Sequence, residues 1–161
     1  MIRSISGDND IKECASCIRD SFLTVADELG ITNENAPTNP AFMTYERLKE
    51  SIDKGLEIFG LYEDSNICGC IGVEKSKNES EFYIERLAVL PLKRHKGYGK
   101  ELMDFAFNSI KESGGKKASI AIVNENKKLK DWYMKYGFIE TGMRKFEHLP
   151  FTVCFMEKSV D

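Results

Sequence analysis

The chain predicts an α+β domain built in three layers, with a mixed central sheet of about seven strands flanked by about four helices. Three observations point there. Two stretches of helical period come before any long strand. Three strand-like runs then follow one another across short polar turns, the pattern of antiparallel hairpins. After them strands and helices alternate, which calls for a parallel crossover. This mixture excludes a doubly wound sheet.

In order along the chain, Met1 to Ser6 alternates weakly and reads as a short strand. Gly7-Asp8-Asn9-Asp10 supplies cap residues for a helix whose apolar stripe is Ile11, Cys14, Ala15, Ile18, Phe22, Val25 and Leu29, with Gly30 as its stop. Ile31 to Phe42 is rich in Asn, Pro and Thr and reads as an irregular loop, long enough to suggest a lid or binding segment. A second helix runs from Thr44 to about Lys54. Leu56–Tyr62 and Ile67–Glu74 form a hairpin around Glu63-Asp64-Ser65-Asn66. The polar turn Ser76 to Ser80 leads to a strand over Phe82–Leu90. The next helix opens at Gly97 and carries Leu102, Phe105, Ala106 and Ile110 on one face. Lys117–Val123 is a strand, Asn124-Glu125-Asn126 caps a helix bearing Leu129, Trp132, Tyr133 and Tyr136, and Phe138–Phe146 pairs with Phe151–Met156 to finish.

The 161 residues suit a single domain, residues 1–161, with a substantial core. A net charge of −3 argues against a nucleic-acid binder, which needs a broad basic surface. No apolar run approaches the roughly 20 residues of a membrane span, and Met1-Ile2-Arg3 does not open a signal peptide, so a cytoplasmic location is expected. Five cysteines, an odd count, read as reduced thiols. Cys14-x-x-Cys17 and Cys68-x-Cys70 have unmatched spacings and lack a completing histidine, so no metal is expected and Cys14 and Cys17 read as small core residues.

The most informative stretch is Tyr83 to Lys100, YIERLAVLPLKRHKGYGK. A strand feeds a cationic turn, Lys93-Arg94-His95-Lys96, and then Gly97-Tyr98-Gly99 opens a helix. The first N–H groups of a helix lack intrahelical partners and carry partial positive charge, so such a turn can seat an anion. It lacks both the dinucleotide fingerprint and the Gly-Lys-Ser/Thr of a P-loop. Taken alone, two glycines here satisfy any tight strand-to-helix turn.

The run E-R-L-A-V-L-P-x-x-R-H-K-G-Y-G, followed by N-x-x-L-x-x-W-Y-x-K-Y-G-F, resembles the GNAT superfamily of acetyl-CoA-dependent N-acetyltransferases. The first part is similar to that family's Arg/Gln-x-x-Gly-x-Gly/Ala turn, the second to its Asn-x-x-Ala-x-x-Leu-Tyr-x-Lys-x-Gly-Phe helix. Together they span about Tyr83 to Phe138. Leu129 and Trp132 depart from the usual smaller residue and Leu, which implies bulkier packing near the cofactor, and Leu92-Lys93 stands where Glu-Tyr is common.

The resemblance implies the acyl-CoA N-acyltransferase fold and acetyl-CoA as cofactor. It implies that Leu87, Ala88 and Val89 present strand backbone to the pantetheine arm beside a bulge that splays two parallel strands. Arg94, His95, Lys96, Gly97, Tyr98, Gly99 and Lys100 would hold the pyrophosphate, with Arg94, Lys96 and Lys100 balancing its charge. Asn126 would bond the pantetheine and Tyr133 would sit near the thioester sulfur. Acetyl transfer to an amine needs a base for the ammonium proton and an acid for the departing thiolate. Glu85, on the strand just before the cofactor run, is the candidate base, and Tyr133 the candidate acid. A strand N–H near Val89 would serve the oxyanion.

Each residue also has a plainer reading: Tyr133 as core, Glu85 as an ion-pair partner across the sheet, Asn126 as a helix cap, His95 and His148 as surface residues. The expected substrate is a small-molecule amine. A protein acceptor (an N-terminus or a lysine) and a non-catalytic acyl-CoA sensor stand as the alternatives. Phe146, Phe151 and Phe155 are open between core and the contact surface of a possible homodimer.

Overall fold

The computed structural model describes residues 1–78 and 80–161. Its elements are β1 (Ile2–Ser4), α1 (Asp8–Leu29), α2 (Tyr45–Asp53), β2 (Glu57–Glu63), β3 (Asn66–Lys75), β4 (Glu81–Val89), α3 (Tyr98–Glu112), β5 (Lys117–Val123), α4 (Lys127–Tyr136), β6 (Ile139–Lys145) and β7 (Thr152–Ser159). Short 3-10 turns occupy Pro40–Phe42 and Pro91–Lys93. The turn expected over Ser76 to Ser80 includes Glu79, which lies outside the described residues.

The strands form one sheet in the order β1-β2-β3-β4-β5-β7-β6. The β4–β5 pair is parallel and the other described pairs are antiparallel, so the sheet is mixed as expected. Helices cover both faces. On one, Leu102, Met103, Ala106, Phe107 and Ile110 of α3, with Tyr133 of α4, pack on Ile71, Val73, Phe82, Ile84, Ile120 and Ile122. On the other, Ile11, Cys14, Ala15 and Ile18 of α1 and Leu48 of α2 pack on Leu56, Ile58 and Cys70.

Local chemistry accounts for most boundaries. Gly30 ends α1 in the left-handed conformation, φ 67°. The Thr44 hydroxyl accepts from Arg47 N and caps α2. At the start of α1 the expected side-chain cap is missing: Gly7 is the cap residue. Asp8 and Asp10 lie in the first turn instead, where negative charge suits the helix dipole, and Asp10 takes Arg3 at 2.7 Å.

The segment 31–42 is more ordered than its composition suggests. Ile31, Ala36 and Ala41 are buried with Ala26 of α1 in a small third core, against which Phe22, Leu29 and Val123 pack. The Arg47 guanidinium donates to the carbonyls of Pro37 at 3.2 Å, Thr38 at 2.6 Å and Phe42 at 2.9 Å. One α2 side chain thus fastens the loop.

The feature that shapes the centre is a bulge in β4. Gly72 faces Glu85 and Cys70 faces Ala88, so β4 carries one more residue than β3 across this span. Arg86 takes up the excess at φ 53°, a conformation non-glycine residues rarely adopt. An extra residue reverses which side chains face which layer. Before it, Phe82 and Ile84 enter the α3 side; after it, Ala88 enters the α1 side, while Leu87 and Val89 pack toward α3. Pairing of β4 with β5 is confined to Glu81–Lys117, Phe82–Ala118 and Tyr83–Ser119. Both strands continue beyond, but apart.

Candidate active site

The split between β4 and β5 leads directly to the turn before α3. Leu90 N bonds Cys68 O at 2.9 Å, which anchors the end of β4 to β3. The turn then reverses through two left-handed residues, His95 at φ 64° and Gly97 at φ 83°. Gly97 caps α3, and no side chain bonds the helix start. The first N–H groups of α3 therefore stay available to a ligand, with the helix dipole behind them. Gly99 lies against Trp132, whose Cζ2 would be 3.4 Å from an added Cβ, so the bulky Trp packs directly on the turn.

The cations of the turn are deployed unequally. Arg94 points inward: its Nε donates to Val89 O at 3.2 Å, Nη2 to Ser21 O at 2.7 Å and Nη1 to the Thr24 hydroxyl at 3.3 Å. It ties α1 to the end of β4. Lys100 pairs with Asp104 at 2.8 Å. His95 and Lys96 are exposed on the turn. Tyr98 turns back, and its hydroxyl donates to Glu63.

Glu85 faces the α1–α2 layer. It sits opposite Gly72, whose added Cβ would meet Leu56 of that layer at 3.0 Å. Its side chain is 37% exposed and takes Arg86 Nη1 at 3.1 Å; Arg86 Nη2 goes on to the Ser51 hydroxyl at 3.2 Å. Partial burial raises the Glu85 pKa, Arg86 opposes the rise, and the charge of Glu74 on β3 adds to it.

Tyr133 lies on the opposite face of the sheet, 5% exposed, edge-on to Trp132 at 5.2 Å and Phe138 at 5.5 Å. Burial alone holds its hydroxyl protonated well beyond neutral pH. Glu85 and Tyr133 therefore lie on opposite sides of the sheet. Asn126 caps α4 by accepting from Leu129 N at 3.3 Å, at the C-terminal end of β5.

Sequence reading missed Glu63, Glu74 and Ser51. None lies within a motif. Strand register, which places Glu74 opposite Tyr83 and one step from Glu85, is the signal that brings the second of these in. Among the described residues no group of three or more His, Cys, Asp or Glu is arranged to hold a metal. No helix among them is long and apolar enough to cross a membrane.

An unpaired strand edge leading to an uncapped helix start fits a long ligand with an anionic end. The family comparison agrees: the model of the acetyltransferase (GNAT) domain matches residues 28–159. The chain belongs to the GNAT acetyltransferases, enzymes of the acyltransferase class, and its cofactor is acetyl-CoA.

Solved structures share the fold over the whole chain. The ribosomal-protein-S18-alanine N-acetyltransferase from Escherichia coli is 13% identical, with a TM-score of 0.78 over 99% of this chain and 93% of that one. The PaiA N-acetyltransferase from Thermoplasma acidophilum, in complex with coenzyme A, is 20% identical, with a TM-score of 0.73 over 99% and 98%. An aminoglycoside 6′-N-acetyltransferase complexed with coenzyme A is 13% identical, with a TM-score of 0.74 over 100% and 97%. At these identities the likeness is one of fold.

Proposed function

We propose that the chain transfers the acetyl group of acetyl-CoA directly to a primary amine of a small molecule, with Glu85 as general base and Tyr133 as general acid. The observation that supports this reading is the split of β4 from β5 beyond Tyr83, with Glu85 and Tyr133 on opposite faces of the sheet. Bound acetyl-CoA supplies the activated acetyl thioester.

Everything else belongs to the chain. The open N–H groups at the start of α3, with Lys96 and Lys100 beside them, hold the phosphates. The unpaired edge of Leu87, Ala88 and Val89, with Asn126 across the gap, aligns the pantetheine arm. Glu85 takes the proton from the incoming ammonium at its carboxylate oxygen, directly or through water. Its raised pKa brings it nearer to that task than an ordinary carboxylate. Tyr133 keeps its proton at neutral pH and gives it to the departing sulfur. No cysteine takes part: all five are buried thiols in the cores.

The Arg47-fastened loop beside α2 favours a small acceptor over an extended peptide. The five free thiols fit a reducing compartment, and the proposal places the enzyme in the cytoplasm. Ile139 and Phe155, exposed on one face of the β6–β7 ribbon, support a homodimer contact; sedimentation at the monomer mass would remove that part.

Free-CoA release tests the whole reading across a panel of polyamines, amino acids, aminoglycosides and peptides. Turnover of a small amine is expected. Turnover of peptides alone would move the acceptor to proteins, and tight cofactor binding without any turnover would make the chain an acyl-CoA sensor.

A further inference from the structure

One carboxylate on the far hairpin holds both ends of the cofactor turn. Glu63 is the last residue of β2, and the loop after it is just Asp64 and Ser65, both in left-handed conformations at φ 51° and 67°. Two such residues make the short turn that matches strand twist, so the position of Glu63 is tightly set by the hairpin. Lys93 Nζ donates to its Oε1 at 2.6 Å, and the Tyr98 hydroxyl donates to its Oε2. Lys93 closes the 3-10 turn ahead of the cofactor turn, and Tyr98 is the first residue of α3. Between these two anchors run Arg94, His95, Lys96 and Gly97.

That short stretch contains two left-handed residues, one of them His95. A non-glycine residue keeps such a conformation only where its surroundings impose it. Arg94 supplies one restraint from the α1 side, and Glu63 supplies the other from the hairpin side. Simple attraction does not explain a carboxylate here, because a negative charge beside a phosphate seat repels the ligand. Lys93 offsets that charge, and what remains is geometry.

We infer that Glu63 is a positioning residue of the acetyl-CoA turn: by accepting from Lys93 and Tyr98 it sets the spacing of the turn's two ends and hence the aim of the first α3 N–H groups. The inference rests on reading this turn as the phosphate seat. Its two donors push the Glu63 carboxyl down to about 2, so the acceptor is ionised at neutral pH.

Calorimetric titration with CoA, and with pantetheine, which lacks the phosphates, tests the assignment on the full chain. Glu63→Ala is expected to weaken CoA binding about tenfold, the scale of a lost charge-assisted pair of hydrogen bonds, while leaving pantetheine binding unchanged. Glu63→Gln, which keeps one of the two acceptor oxygens and loses the charge, should recover part of the loss. A merely structural role would weaken both ligands alike, and that result overturns the inference. Lys96→Glu reports on the seat itself. Normal CoA binding by Glu63→Ala with weakened binding by Lys96→Glu removes the clamp and keeps the seat; normal binding by both removes the two together. Should Glu63→Ala not fold, Tyr98→Phe combined with Lys93→Met takes its place with the same expected selectivity for CoA over pantetheine.

Discussion

The parallel strands β4 and β5 are two different structures at their two ends. At the start they are a regular pair. Three residue pairs are in register, the Ser119 hydroxyl donates to Glu81 at 2.7 Å, and Lys117 reaches Glu81 at 3.9 Å. At the other end the same strands share no pairing, and Glu85 and Tyr133 lie on opposite faces of the sheet. A single extra residue at the Arg86 bulge makes the difference. The site is thus made by interrupting a sheet rather than by adding a loop to it. Variants at the closed end should change stability alone, and variants at the open end should change chemistry.

The largest effects are expected at the open end. Glu85→Gln should lower kcat about 10²–10⁴-fold, the range typical for loss of a general base, with little change in melting temperature. Tyr133→Phe should cost about 10²-fold in kcat. Gly69→Ala comes next. An added Cβ there would lie 2.6 Å from the Ala88 carbonyl, on the strand that must keep its course beside the split. A loss of about 1–3 kcal/mol in urea unfolding is expected, accompanied by weaker CoA binding. At the closed end, Ser119→Ala should cost about 1 kcal/mol in the same unfolding measurement and leave kcat unchanged. A large loss of activity in Ser119→Ala would break the distinction between the two ends.

The smallest effects sharpen it. Arg86 lowers the Glu85 pKa and Glu74 raises it. Arg86→Met should therefore move the acid limb of the pH–rate profile to higher pH, and Glu74→Gln should move it to lower pH. Shifts of the same sign in both would show that the limb does not belong to Glu85.

The sequence made the two cofactor motifs and the order of elements legible because both are local. Glycine stops, apolar periods and the Arg94–Gly99 turn lie within short windows. The bulge was visible only through resemblance, since nothing in Glu85-Arg86-Leu87 marks a left-handed residue: arginine is as ordinary in a strand as in a helix. Relations across the sheet were hidden for a different reason. Glu63 meets Lys93 and Tyr98, and Ser51 meets Arg86, only after hairpins and crossovers have brought distant segments together. The inward turn of Arg94 also escaped, because a cation beside two glycines reads equally as a phosphate partner and as a clamp on α1. The segment 31–42 looked irregular by composition, yet Arg47 from the next helix orders it.

The most direct test of the central claim is the pH dependence of kcat for the wild type and Glu85→Gln, with an accepted amine and saturating acetyl-CoA. The expected wild-type profile has an acid limb above the ordinary carboxylate range, because burial and Glu74 both raise the Glu85 pKa and the base acts only once its proton is lost. In Glu85→Gln the rate should collapse and the limb should vanish with it. The same limb at the same rate in both proteins would contradict the assignment of Glu85 as the base.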